Sequence, residues 1–420
     1  MKNLVILGAG TAGTALANRM RRKLARNWQI TVVDPEAQHL YQPGLLFLPF
    51  GAHDEAALLR ERRRTLATKV RWVRAAVKAV EPTAQEVQLD HGGTLPYDFL
   101  VIASGARIRP DLTEGLLGAG WRDKTHDFYT LEGAQALREK LANFTKGRLV
   151  VNIFEMPIKC PVAPTEFLFL ADDFFRKRGV RKDIELVFAT PLDKAFTRPI
   201  CASVLGDMLG QRDIKLETEF VAGAVDGEKG ILKSFDNREV PFDLLVAVPT
   251  HSGAEFVQTS QLGNELDFVP TDKGTLQMKG QERIFVIGDA TDLPSSKAGS
   301  VAHFQAEILE SNLLAVIGGG APGAQFDGHT NCFIESGRGK ALLIDFNYQV
   351  EPLPGRFPLA GVGPFSLLGE SRINHLGKLA FRSVYWNALL PGRPIPISTR
   401  MSMRGKHFPA VKKEESHAGA

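Results

Sequence analysis

Short apolar runs of strand type recur along the chain and alternate with stretches of helical period. The first run, Asn3 to Leu7, enters the turn Gly8-Ala9-Gly10-Thr11-Ala12-Gly13, which is followed by a helical stretch from Thr14 to Leu24. A second run, Gln29 to Val33, closes on Asp34, and further runs lie at Tyr97 to Gly105, Leu149 to Phe154, Ile184 to Ala189, Leu244 to Val248 and Arg283 to Ala290. Strands alternating with helices in this way predict an α/β protein with parallel sheets.

The opening unit carries specific chemistry. Strand, GxGxxG, helix, strand and acidic residue follow in register, with Asp34 twenty-one positions past Gly13, the spacing of a dinucleotide-binding unit. Gly8 permits the tight turn, Gly10 lets a pyrophosphate approach the backbone, and Gly13 lets the helix pack closely. The helix N-terminus attracts phosphate charge and Asp34 can accept ribose hydroxyls. A glycine-rich turn without a ligand is the alternative, and the complete unit argues against it.

Composition narrows the class without deciding it. The 420 residues are 44% hydrophobic and 23% charged, enough for two or three globular domains. A net charge of +4 is too small to imply nucleic acid, though it suits an anionic membrane surface. The first strand begins at the N-terminus with no export-signal pattern before it, which predicts a cytoplasmic location. Cys160, Cys201 and Cys332 are too few and too dispersed for a disulfide framework, and no Cys/His spacing predicts a metal site.

Two later segments resemble those of the two-dinucleotide-binding-domain flavoproteins. They are YDFLVIASG, with Ser104 and Gly105 in its turn, and RIFVIGDA, ending in Gly288 and Asp289. The resemblance implies FAD, with Asp289 on the ribityl chain, and a discontinuous FAD domain of residues 1–115 and 265–330. Asp289 could instead cap the helix beginning near Lys297. Lys297, in Ser-Ser-Lys-Ala-Gly, matches a lysine near the flavin ring, or is an exposed residue without that role. Residues 116–264 suggest a second Rossmann-like domain. After its strand Arg148 to Phe154 the chain reads Glu-Met-Pro-Ile-Lys-Cys-Pro-Val-Ala-Pro, with no glycine to admit a second pyrophosphate. The nicotinamide site is expected to be lost.

Cys160 occupies that turn, before a helix expected over Pro164 to Arg178. The helix N-terminus and Lys159 are expected to favour its thiolate over the about 3% of an ordinary thiol at neutral pH. Cys332 lies in Cys-Phe-Ile-Glu-Ser-Gly, after the FAD domain. Here the chain resembles the sulfide:quinone oxidoreductases, in a divergent, type III-like form, which carry a cysteine after the first strand of the second domain and another in a CFxxxG segment. The resemblance implies that Cys160 and Cys332 flank the flavin, take up sulfide, form sulfane sulfur or polysulfide, and pass electrons through FAD to membrane quinone. Glu166 matches an acidic residue that handles protons in some relatives, or is a carboxylate favoured by the helix N-terminus. The chain has no cysteine before Cys160, which excludes the covalent flavin link of some relatives. Cys201 reads as a packed thiol or a third sulfur carrier. His126 and His251 are candidates for proton transfer by location alone. A type II NADH:quinone reductase, a flavocytochrome c sulfide dehydrogenase subunit and a flavin redox sensor are the competing readings.

Residues 331–420 form the third region. From about residue 355 aromatic, apolar and basic residues mix, and Ile373, Leu376, Leu379, Ala380, Phe381 and Val384 make one helical face. No stretch is long enough to span a bilayer. The expectation is an amphipathic, monotopic attachment to a lipid surface, at the cytoplasmic face, with Tyr385 and Trp386 at the interface and Phe357 and Phe365 stacking on quinone. Packing against the FAD domain or a second copy in a homo-oligomer is the alternative. The last dozen residues are expected to fray.

Overall fold

A computed structural model describes residues 1–359 and 361–409; the expectation of a frayed end falls almost wholly outside them. The glycine turn and its flanking runs build the first parallel sheet. Its order is Ile284–Val286, Phe99–Ile102, Lys2–Leu7, Trp28–Val33 and Arg71–Val73. Pairing of Ile284–Val286 with Phe99–Ile102 brings distant parts of the chain into one sheet. The four strands from Ile284–Val286 to Trp28–Val33 are mostly buried runs rich in branched residues, as a sheet covered on both faces requires.

The second sheet is also parallel, ordered Thr125–His126, Leu244–Val248, Gly147–Ile153, Ile184–Ala189 and Ile214–Glu217. Against its face lies the helix Ala163–Lys177, with Pro164 in the first turn and Gly179 past the end in the left-handed region (φ +74°). That helix also packs along the strand Thr330–Gly337, the edge of a four-stranded sheet completed by Lys340–Phe346, Phe365–Leu367 and Gly355–Phe357. The region after 330 is therefore a folded layer, and only its last helix, Arg372–Val384, has the amphipathic form expected from sequence.

Tyr385 and Trp386 correct the sequence reading. Tyr385 is fully buried and Trp386 nearly so, so neither faces a lipid interface. The Tyr385 hydroxyl pairs with Thr11 Oγ1 at 2.8 Å and with His39 Nε2 at 2.7 Å. A C-terminal ring thus fastens to the first residue of the dinucleotide helix. The aromatic surface left after that helix is satisfied by the protein and not by a membrane.

Glycine is obligatory at two positions of the first turn. Gly8 has φ +97°, and a Cβ there would overlap the Ala103 carbonyl; a Cβ on Gly13 would overlap the Gly8 carbonyl oxygen. Gly13→Ala is therefore expected to destabilise the fold by about 1–3 kcal/mol. The check is thermal or denaturant unfolding, with Gly10→Ala, where nothing lies within 4 Å, as the milder control.

Candidate active site

The first half of the site is the cradle around Gly10. The helix Thr11–Lys23 starts at Gly10 with no side chain capping it, so its leading amides are free to meet an anion. Asp34 lies behind the cradle, where Oδ2 accepts the Ala9 N–H at 2.7 Å and Oδ1 stands 3.2 Å from the Arg62 guanidinium. Arg62 also donates to the Ala9 carbonyl. Ser104 Oγ is buried beside Gly8 with no partner among the described residues, and Gly105 follows at φ +71°. An orphan hydroxyl, uncapped amides and an open glycine surface fit an extended phosphate-bearing cofactor such as FAD.

Gly288 and Asp289 close the other side of this cradle. Gly288 has φ +70°, and a Cβ there would meet Ala12 at 3.0 Å. Lys297 is buried, its ammonium donating to the Asp289 and Thr291 carbonyls at 2.7 and 2.8 Å and lying 3.8 Å from the Phe268 ring centroid. Burial lowers its pKa to about 8, against the pull of Asp289 and Asp292. Its backbone carbonyl accepts the Cys160 N–H at 2.8 Å. Lys297 thereby positions the cysteine loop, and the Asp289 carboxylate is not the acceptor of its ammonium.

The second half is built where the helix Ala163–Lys177 meets the strand Thr330–Gly337. Cys160 stands before the helix at φ +50°, a left-handed conformation uncommon for a side-chain-bearing residue. Cys332 is on the strand, with Sγ 3.9 Å from Ser300 Oγ. Both thiols are free and half-buried. Glu166, fully buried one turn into the helix, accepts the Glu335 N–H at 2.6 Å and the Lys378 ammonium at 2.7 Å, both through Oε1; its Oε2 has no partner among the described residues. Lys378 also donates to the Phe333 carbonyl at 2.8 Å. This lysine, from the C-terminal helix, joins the two cysteine-bearing elements.

The electrostatics reverse the sequence expectation for Cys160. Burial, then the Glu166 charge, push its thiol up; Lys378 acts the other way. Burial raises Cys332 to about 11, again opposed first by Lys378. Lys159 does not supply the expected cation: its ammonium turns to Gln42 Oε1 at 3.4 Å and over the Tyr129 ring. Desolvation outweighs the helix N-terminus, so both sulfurs rest as thiols and ionise only with help. Glu166 is itself raised by burial, against the neighbouring Lys378.

The remaining candidates fall in different places. Cys201 is fully buried in the apolar core of the second domain, a packed thiol. His126 bonds the Asp123 carbonyl at 3.0 Å, on the outer strand of the second sheet. His251 stands edge-on to Tyr129 at 4.9 Å with Nε2 unpartnered among the described residues, and burial lowers its pKa to about 3. Phe357 and Phe365 face each other across neighbouring strands, and Phe365 packs edge-on to Phe333 at 5.4 Å. Phe333 and Lys378 escaped the sequence reading as site residues. The CFxxxG segment could have flagged Phe333; no local signal marks Lys378 among the basic residues of its helix. Among the described residues no cluster of His, Cys, Asp and Glu could hold a metal ion.

Residues 2–152 match the pyridine nucleotide-disulphide oxidoreductase family. The mitochondrial sulfide:quinone oxidoreductase of Mus musculus is 26% identical over 396 residues, covering 93% of this chain and 86% of that protein. That of Schizosaccharomyces pombe is 28% identical, covering 91% and 89%. The solved structure of the Aquifex aeolicus sulfide:quinone oxidoreductase superposes with a TM-score of 0.78 at 19% identity, covering 94% of this chain and 92% of that one. Over nearly its whole length the chain is similar to sulfide:quinone oxidoreductases in sequence and fold. FAD is its cofactor, as these matches show and in agreement with the cradle around Gly10.

Removing the Lys378 ammonium should leave Glu166 buried and unpaired. Lys378→Met is expected to lose about 3–5 kcal/mol of stability, the range for breaking a buried ion pair. It should also move iodoacetamide alkylation of Cys160 and Cys332 to higher pH, because the one cation lowering both thiols is gone. Unfolding and mass-spectrometric alkylation profiles measure the two effects.

Proposed function

We infer that this protein oxidises sulfide to sulfane sulfur through Cys160 and Cys332 and delivers the electrons through FAD to membrane quinone. The supporting observation is the joint setting of the two cysteines around Lys378 and Glu166, in the turn where a nicotinamide-binding protein would carry glycines. FAD, when bound, supplies the two-electron store between sulfur and quinone. The protein's task is sulfur and proton handling. When sulfide attacks a Cys160–Cys332 disulfide, one carbon-bound sulfur gains a sulfur atom as a persulfide while the S–S bond breaks and the other cysteine leaves as thiolate. Lys378 stabilises that thiolate, and Glu166 Oε2, free of other bonds among the described residues, accepts the proton that sulfide gives up. Gly8, Gly10, Gly13, Asp34, Ser104, Gly105, Gly288 and Asp289 would hold the cofactor, and the Lys297 carbonyl would hold the cysteine loop toward it.

The quinone end lies with the C-terminal helix. Ile373, Leu376 and Leu379 are 48%, 62% and 41% exposed on its outer side, and Leu359 and Val362 stand out from the preceding loop. No helix among the described residues is long and apolar enough to cross a membrane. This surface suits shallow insertion into a lipid interface, with Phe333, Phe357 and Phe365 beneath it as stacking partners for quinone.

Two outcomes test this reading. Anaerobic sulfide should bleach the bound flavin and added quinone should restore its colour, while Cys160→Ser and Cys332→Ser should lose sulfide oxidation by at least about 10²-fold; absence of bleaching in the wild type would overturn it. Leu376→Glu should reduce sedimentation with liposomes and raise the KM for a long-chain quinone, leaving sulfide bleaching unchanged.

A further inference from the structure

The group proposed above to take the proton of sulfide lies inside the protein. Oxidation of one molecule of hydrogen sulfide to sulfane sulfur yields two electrons and two protons; the electrons leave for quinone, and Glu166 is fully buried. Beside it, a second carboxylate has no counterpart in the sulfur chemistry. Glu335 is 1% exposed on the strand of Cys332, and its own N–H already bonds Glu166. Both of its carboxylate oxygens meet His375 Nδ1, at 2.9 and 3.0 Å. His375 lies one turn before Lys378 on the same helix, and its side chain is 26% exposed, which makes it the member of the group that reaches water.

We propose that Glu335 and His375 form the proton outlet of the cysteine site, passing protons from the Lys378–Glu166 pair to solvent; the proposal rests on the sulfide-oxidising reading above. The groups facing the pair come from each packed element. Glu166 comes from the helix Ala163–Lys177, Cys332 from the strand, and Lys378 from the C-terminal helix; one turn on, Arg382 reaches His53. At the far end of the strand Arg212 donates to the Ser336 carbonyl and pairs with Glu370, and Arg338 pairs with Asp172, so these charges are already matched. Glu335 thus touches Glu166 through its N–H and His375 through its carboxylate. Burial raises the pKa of that carboxyl, with His375 and Lys378 opposing and Glu166 adding to the rise. Both are positioning residues, acting on sulfur through Lys378 and Glu166.

The experiment uses the full FAD-loaded chain with Glu335→Gln and His375→Ala. Stopped-flow bleaching by sulfide, followed from about pH 6 to about pH 9, should slow roughly tenfold in each variant, less than the 10²–10⁴ of a direct general base. The pH profile should change in both, and added imidazole should restore His375→Ala alone. Iodoacetamide alkylation of Cys332 should keep its wild-type pH profile in Glu335→Gln, because an outlet alters the rate of proton departure and not the thiol equilibrium. Unchanged bleaching profiles, failure of imidazole to rescue, or a shifted alkylation profile would each overturn the outlet while the sulfide reading stands. A wild type that sulfide does not bleach overturns the sulfide reading itself, and the outlet with it.

Discussion

The buried ammonium of Lys378 is the constraint on which the rest of the site depends. It is bonded at once to Glu166 on the second-domain helix and to the Phe333 carbonyl on the strand of the C-terminal sheet. Three elements drawn from distant parts of the chain therefore meet at one charge. A lone ammonium in this setting would be driven toward its neutral form by desolvation; the Glu166 charge opposes this, and the Lys378 pKa is raised. The converse holds for the sulfurs. Without a cation inside the protein, two half-buried thiols next to a carboxylate could not ionise, and a cysteine exchange would stall at its leaving group.

The legibility of this protein in its sequence follows the range of its interactions. The Gly8–Gly13 turn, its strands and Asp34 form a local unit whose steric demands are written in adjacent residues, and the strands expected at Ile184 to Ala189 and Leu244 to Val248 occur at those residues. Cys160 and Cys332 could be singled out because cysteine is scarce and each stands in a recognisable segment. Lys378 could not, because its role comes from a partner 212 residues away and its neighbours Arg372 and Arg382 look equivalent in composition. Tyr385 and Trp386 were misassigned for a related reason. An aromatic pair after an amphipathic helix has the composition of an interfacial belt, and only the tertiary contact with Thr11 and His39 reveals that it is core.

The charge state of Cys160 shows how a local electrostatic rule fails. A helix N-terminus and a flanking lysine each favour a thiolate when both point at the sulfur and water supports the charge. Here Lys159 points away, its backbone bridging to Lys297, and Glu166 on the same first turn contributes the opposite sign. Sequence adjacency fixes neither direction nor solvation, and desolvation is the larger effect. The same burial that disfavours the thiolate raises Glu166, so one environment produces both the acid that must lose a proton and the base that can take it.

The C-terminal helix gives these local facts a common direction. Its inner face carries Asn374, His375, Lys378 and Phe381, and is fixed by Asn374 bonds to both backbone groups of Ser366. Its outer face carries Ile373, Leu376 and Leu379. Gly377 lets this helix approach Phe333 and Phe365 so closely that a Cβ there would meet both rings below 3 Å. One element thus carries the cation of the sulfur site, covers the aromatic pair and presents apolar side chains outward. Its inner bonds to Glu166 and to the Phe333 carbonyl hold that outward face in a fixed relation to the cysteine-bearing strand.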